Sequence, residues 1–342
     1  MKPAPSSSFS SSSSNFSTEI LLRVRDYDLA ATLDSGQVFR WQKQNDSWTG
    51  IVGKNCVRLA QTKNGICAET AAPGADWQWL RDFLQTETDL AAVLKTFPDD
   101  EPMQRAVAAC RGLRLLRQEP WECLASFILS STKQIIQIRQ IIALLCERFG
   151  EPLIRPPDAW ERRRPAGQQP HNEPSHSPAG RQRSQNTSAP PGWERALSAS
   201  NESILFYAFP TPQRLAAATE SQLRACKMGF RAPNLLAAAR QIASGNFDLE
   251  MLRQLSYSEA RAELMQLRGV GGKIADCVLL FAYSFDSAFP VDVWVERALQ
   301  QLYFPRRRLT EKKLRHFAAT HFGPHAGYAQ QYLFHYMRTM VK

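Results

Sequence analysis

The hydrophobic pattern of this chain changes period once, and that change limits the folds open to it. Between Ile20 and Thr70 apolar and polar residues alternate in QVFRWQK, SWTGIV and CVRLAQT, the period of half-buried strands. Asn64-Gly65, set between apolar flanks, signals a hairpin turn. After Pro73-Gly74 the spacing lengthens to three and four, in WQWLRDFLQ and DLAAVLKTF. It stays helical in ESILFYAF, RLAAATESQLRAC, RAPNLLAAARQIA and LTEKKLRHFAATHF. Strands at one end and helices over the rest predict an α+β protein, a small N-terminal antiparallel β domain followed by a mostly α-helical one.

Two segments lack any period. Residues 1–18 are Ser-rich and read as a disordered tail; residues 155–192, rich in Pro, Gly, Ser, Arg and Gln, read as a disordered insertion. The compact units expected are residues 19–110, a sheet with helices, and residues 111–342, the helical domain interrupted by that insertion. Its run Arg162, Arg163 and Arg164 reads as a solvated spacer in preference to a nucleic-acid arm.

A hydrophobic fraction of 44% fills real cores, and the net charge of +10 calls for a polyanionic partner, nucleic acid or an acidic membrane surface. No window reaches the ~18 apolar residues of a membrane span, and Lys2 is followed by a serine tract in place of a signal core. The seven cysteines stand singly, without metal-ligand spacing, as reduced thiols do. The expectation is an intracellular protein without a membrane.

The stretch LRGVGGKIADCVLLFAYSFDSAFPVDVW, residues 267–294, is apolar apart from a few placed charges. Ser256 and Glu259 have capping-box spacing and predict a helix over 257–267 that ends at Gly269. Gly269 and Gly271 allow a tight hairpin, after which Lys273 opens a second helix. That helix would direct the amides of Gly271, Gly272, Lys273 and Ile274 outward, an arrangement that suits a phosphate. Asp292, after Pro290, falls at the expected start of the helix VWVERALQQL, where its carboxylate can cap amides. Cys277 lies one turn beyond Lys273 on the same face.

LxGVGxK between two apolar helices, followed by PVDVW, resembles the helix-hairpin-helix and Gly/Pro…Asp loop of the DNA glycosylase superfamily. SGQVFRW, LLRQEPWECLASFILSS, MGFRA and AGYAQQYLF extend the resemblance to residues 19–342 outside the insertion, closest to the 8-oxoguanine branch. The helical domain would then be a helix-hairpin-helix glycosylase domain.

In such a protein Lys273 is the nucleophile that attacks C1′ and stays bonded as a Schiff base, and Asp292 orients the amine and stabilises positive charge developing on the sugar. The resemblance further implies that the Gly36 carbonyl accepts the N7-H that 8-oxoguanine has and guanine lacks, and that Gln330 reads the Watson-Crick edge. Phe334 and Cys277 contact the two faces of the extruded base. Phe230, where the family usually has tyrosine, wedges the duplex, and Arg231 contacts the widowed cytosine. Three positions depart from the well-studied eukaryotic members: Thr132 replaces an asparagine, Gln137 an arginine, and Trp294 a phosphate-binding histidine. The opposite-base preference is therefore left open.

The implied partner is double-stranded DNA containing 8-oxoguanine, bound by a monomer located with the DNA, and no metal or organic cofactor is implied. A glycosylase for another damaged base, such as an alkylated purine, and a non-catalytic module that binds damaged DNA are the alternatives. Lys273 and Asp292 together favour chemistry over binding alone.

Overall fold

The computed structural model describes residues 18–71, 76–131, 134–153, 206–306 and 309–340. Residues 1–17 of the expected tail, the 155–192 insertion with its arginine run, and Thr132 lie outside the described residues, whereas Thr18, also assigned to the tail, opens a strand. Five antiparallel strands form one sheet: β1 (Thr18–Leu22), β2 (Gln42–Gln44), β3 (Ser47–Val52), β4 (Asn55–Thr62) and β5 (Gly65–Thr70). They lie in the order β1-β5-β4-β3-β2, so the first strand closes against the last, with Ile20 opposite Ala68. Thr62 pairs with Gly65, which makes Lys63-Asn64 the hairpin loop; Gly65 is instead the first strand residue, where a Cβ would run into the Leu22 carbonyl.

The sheet packs on α1 (Leu29–Asp34) and α2 (Gln78–Leu84) through a core that includes Trp41, Trp48, Leu59, Ile66, Leu80 and Phe83. Trp41 stacks on Phe83 at 5.8 Å, and its indole fills the space a side chain at Gly50 would need. The alternation in QVFRWQK does not become a strand before Gln42. Buried Gln37 explains why, because its side chain serves as the partner that a neighbouring strand would have provided. Its Nε2 donates to the carbonyls of Thr32 (3.1 Å) and Arg114 (2.8 Å), and its Oε1 accepts from Leu116 N (2.8 Å). Val38, Phe39 and Trp41 are then buried from a loop.

The helical part comprises α3 (Leu90–Leu94), α4 (Glu101–Ala109), α5 (Pro120–Ser130), α6 (Ile135–Phe149), α7 (Pro212–Ala216), α8 (Glu220–Arg224) and α9 (Ala232–Ala243). It continues with α10 (Tyr257–Leu264), α11 (Gly272–Tyr283), α12 (Val293–Leu302), α13 (Glu311–His321) and α14 (Ala326–Thr339). A two-stranded ribbon, β6 (Pro152–Leu153) with β7 (Phe206–Tyr207), joins its halves.

Leu90, Val93, Met103 and Ala106 pack in the helical core, as does Phe39, so helices before residue 110 share a core with those after it. The reason is α14: Phe97 meets Tyr332 edge-on at 5.7 Å, and Tyr332 donates to the Leu113 carbonyl at 3.0 Å.

At the centre lies α5, begun by Pro120 and capped by Glu119, which accepts from Trp121 N (3.0 Å) and Glu122 N (2.6 Å). Its residues 120–129 are buried except Glu122, and Phe127 stacks on Phe281 of α11 at 5.6 Å. That contact fixes α11, and hence Lys273, against the core.

Candidate active site

The hairpin is built as its spacing requires. Ser256 N donates to Glu259 Oε2 (2.9 Å), Glu259 N donates to Ser256 Oγ (3.4 Å), and α10 follows. The helix stops at Leu264, short of Leu267, because the chain tightens into shorter turns: Leu267 N bonds the Leu264 carbonyl and Val270 N the Leu267 carbonyl. Gly269 takes φ +83°, and a Cβ there would collide with Asn234 of α9. Gly271 caps α11 with ordinary extended backbone, and a Cβ on it would meet nothing within 4 Å. The first bond of α11 runs from Ala275 N to the Gly271 carbonyl (3.0 Å), so the helix leaves the amides of Gly272, Lys273 and Ile274 unclaimed. The Ile274 side chain is buried, so only its amide faces this end.

One residue of this region escaped the sequence reading. Asp276 is fully buried in α11, and its Oδ1 accepts from Arg261 Nε (2.6 Å) and Tyr257 OH (2.8 Å) while Oδ2 accepts from Arg315 Nη1 (3.1 Å). It ties α11 to α10 and α13 and holds the Arg261 guanidinium against Gly272, where a Cβ would strike it. A lone aspartate inside the run IADCVLLFAY was the available signal, since an unpaired buried carboxylate is costly.

The Lys273 ammonium lies 5.1 Å from the centre of the Phe127 ring. Burial pushes the Cys277 thiol up to about 12; Lys273 opposes that rise, in part through a hydrogen bond, and Asp292 adds to it. Lys273 is thus within hydrogen-bonding reach of Cys277, and the Asp292 charge is near enough to act on the thiol. Asp292 caps α12, its Oδ1 accepting from Trp294 N (3.0 Å) and Val295 N (2.9 Å), so the carboxylate is fixed by its own helix. Trp294 is half-buried, with the Arg297 guanidinium 5.0 Å over its ring.

A second wall comes from α14 and the loop after α1. Gln331 Nε2 donates to the Ser35 carbonyl (2.9 Å) and Arg338 Nη2 to the Asp34 carbonyl (2.6 Å), holding the chain that leads into Gly36. Gly36 has φ +83°, and a Cβ on it would lie 3.0 Å from Arg338 Nη1 and 3.3 Å from Phe334. Arg338 lies over the Phe334 ring at 5.7 Å. Gln330 is buried, and its Oε1 has no partner among the described residues. Gly36, Phe334 and Arg338 thus form one wall, and Arg338 joins it unannounced by the sequence.

At the rim Phe230 is 60% exposed, an unusual cost for a ring unless it has something to cover. The Arg231 side chain is buried, 4.2 Å from the Phe230 ring, with Nη2 donating to the Ser131 carbonyl. Gln137 is exposed at the start of α6, where its Oε1 accepts from Gln134 N (3.3 Å) as part of a cap.

With this geometry in view, two family models match the chain. Residues 181–323 match the HhH-GPD superfamily base excision DNA repair protein model, and residues 19–124 match the N-terminal domain of 8-oxoguanine DNA glycosylase. The chain belongs to the HhH-GPD superfamily of DNA glycosylases and, within it, to the 8-oxoguanine DNA glycosylases.

A probable N-glycosylase/DNA lyase of Methanothermobacter thermautotrophicus is 26% identical over 92% of this chain and 95% of its own length. The N-glycosylase/DNA lyase OGG1 of Arabidopsis thaliana is 28% identical over 90% of this chain and 76% of its own. The 8-oxoguanine glycosylase/lyase of Clostridium acetobutylicum, solved with double-stranded DNA containing cytosine opposite 8-oxoguanine, superposes with TM-score 0.74 and 27% identity. That match covers 93% of this chain and 97% of the other. Among the described residues no helix is long and apolar enough to cross a membrane.

Proposed function

We propose that this protein is a bifunctional glycosylase and abasic-site lyase that removes 8-oxoguanine from duplex DNA, with Lys273 as nucleophile and Asp292 as its carboxylate partner. It acts as a monomer, inside the cell. The observation that carries the assignment of roles is Lys273 in the first turn of α11, its ammonium over the Phe127 ring, with the Asp292 carboxylate fixed as the cap of α12. Gly272–Ile274 amides grip a phosphate, and Phe230 enters the space the extruded base vacates, offsetting an extrusion cost of a few kcal/mol.

After losing a proton, the Lys273 amine bonds to C1′, the bond from C1′ to N9 breaks, and the base leaves with that electron pair. Asp292 stabilises the positive charge that builds on the sugar. Opening of the sugar gives the imine. Loss of a proton from C2′ then expels the 3′ phosphate by β-elimination.

The test is borohydride trapping with a labelled duplex carrying 8-oxoguanine opposite each of the four bases. A covalent adduct lost in Lys273→Gln is expected, together with a ranking of the opposite bases. Base release without an adduct would make water the nucleophile. Absence of both would point to a different lesion.

A further inference from the structure

Three buried side-chain atoms on α14 have no hydrogen-bond partner among the described residues, Gln330 Oε1, His335 Nδ1 and Arg338 Nη1, and the first and last are of opposite kinds. Gln330 Oε1 is an acceptor and Arg338 Nη1 is a donor. Gln330, Phe334 and Arg338 follow one another at intervals of four, on successive turns of one face, and Phe334 and Arg338 both lie against Gly36. Buried groups of this sort are costly to leave unmet, a charged one most of all. Burial indeed works against the Arg338 charge, with Asp34 and Asp292 opposing that effect.

A guanine edge supplies the complement. Going round the ring from the Watson-Crick side it offers donors at N2 and N1, an acceptor at O6 and, once oxidised at C8, a donor at N7. In the reading above, Gln330 faces N1 and N2 and the Gly36 carbonyl faces N7-H, so the ring atom between the two is the one bearing O6. Arg338 occupies the matching place in the wall, beside Gly36 and on the Gln330 face.

We propose that Arg338 is a specificity-determining residue whose Nη1 donates a hydrogen bond to O6 of the extruded 8-oxoguanine. Its other nitrogen, Nη2, is already held by the Asp34 carbonyl, so the donor is oriented before the base arrives. The inference rests on the proposed base-excision activity and on the roles that the family resemblance implies for Gly36 and Gln330. It adds a rejection: 8-oxoadenine keeps O8 and N7-H but carries an amino group at C6, which would set donor against donor.

Single-turnover excision of 8-oxoguanine and 8-oxoadenine, each opposite cytosine, tests this in wild type and Arg338→Met. Loss of a bond from a charged donor predicts that the variant slows 8-oxoguanine roughly 10- to 100-fold. The 8-oxoadenine rate should change by no more than about threefold, so the preference collapses. Equal losses on both bases would make Arg338 a clamp for the Gly36 loop and overturn the proposal.

A substrate change serves if the variant does not fold. The 6-thio analogue of 8-oxoguanine keeps N1-H and weakens only the acceptor, and wild type should cut it about tenfold more slowly; an unchanged rate would contradict the O6 contact. Wild type that leaves 8-oxoguanine intact would instead sink the underlying activity.

Discussion

Two helices begin at the site, and they begin differently. The first turn of α12 is satisfied from within, because Asp292 caps two of its amides. The first turn of α11 starts at Gly271 with no side-chain cap and an unobstructed approach. A capped end fixes the position of the group that caps it; an uncapped end keeps its amides for something else. One helix start therefore holds the Asp292 carboxylate still, and its neighbour keeps its amides for the proposed DNA phosphate.

The comparison can be broken most severely at the first turn of α11. Lys273→Gln should lower adduct formation at least about a thousandfold while damaged duplex still binds; retained strand cleavage would displace Lys273 from the mechanism. At α12, Asp292→Asn is expected to slow base release about 100- to 1,000-fold. Asparagine caps as well as aspartate, so the melting temperature should hardly move, whereas Asp292→Ala should cost about 1 kcal/mol of stability as well. An Asp292→Asn enzyme with a normal single-turnover rate would reduce this residue to a cap.

A smaller effect separates the hairpin glycines. Gly271→Ala should fold normally and weaken DNA binding about tenfold, with a shallower salt dependence, because the methyl group stands where the backbone phosphate approaches. Gly269→Ala should do the reverse, costing about 1–3 kcal/mol of stability through its positive φ and the clash with Asn234. Equal behaviour of the two variants would erase the distinction between a structural glycine and an interface glycine.

The smallest expected effect concerns His335, whose pKa is lowered chiefly by burial and then by Arg338. A histidine kept neutral when folded takes up more protons when unfolded. Its stabilisation is present above about pH 6.5 and is lost as pH falls through the depressed folded value. Melting temperature should decline over that range, and less so in His335→Gln.

Much of this arrangement was legible in the sequence because it is local. The Ser256/Glu259 cap, the Gly269 and Gly271 hairpin, and the Asp292 cap all lie within a few residues of what they control. Contacts across the chain were harder to see. QVFRWQK alternates like a strand, yet Gln37 bonds to Thr32, Arg114 and Leu116 and keeps it a loop. The pairing of Asp276 with Arg261 and Arg315 joins three helices, and Arg338 gains meaning only beside Gly36, some three hundred residues earlier. Arg231 shows the same limit, since its motif placed it correctly next to Phe230 but could not tell that Ser131 would hold it down.

The tie between α14 and the loop at Gly36 also orders events in time. As the chain leaves the ribosome, the sheet, the hairpin and Lys273 all precede α14, so the proposed nucleophile is synthesised before the residues proposed to choose a base. On that reading selectivity is completed last, when Gln331 and Arg338 reach back to a loop made near the beginning.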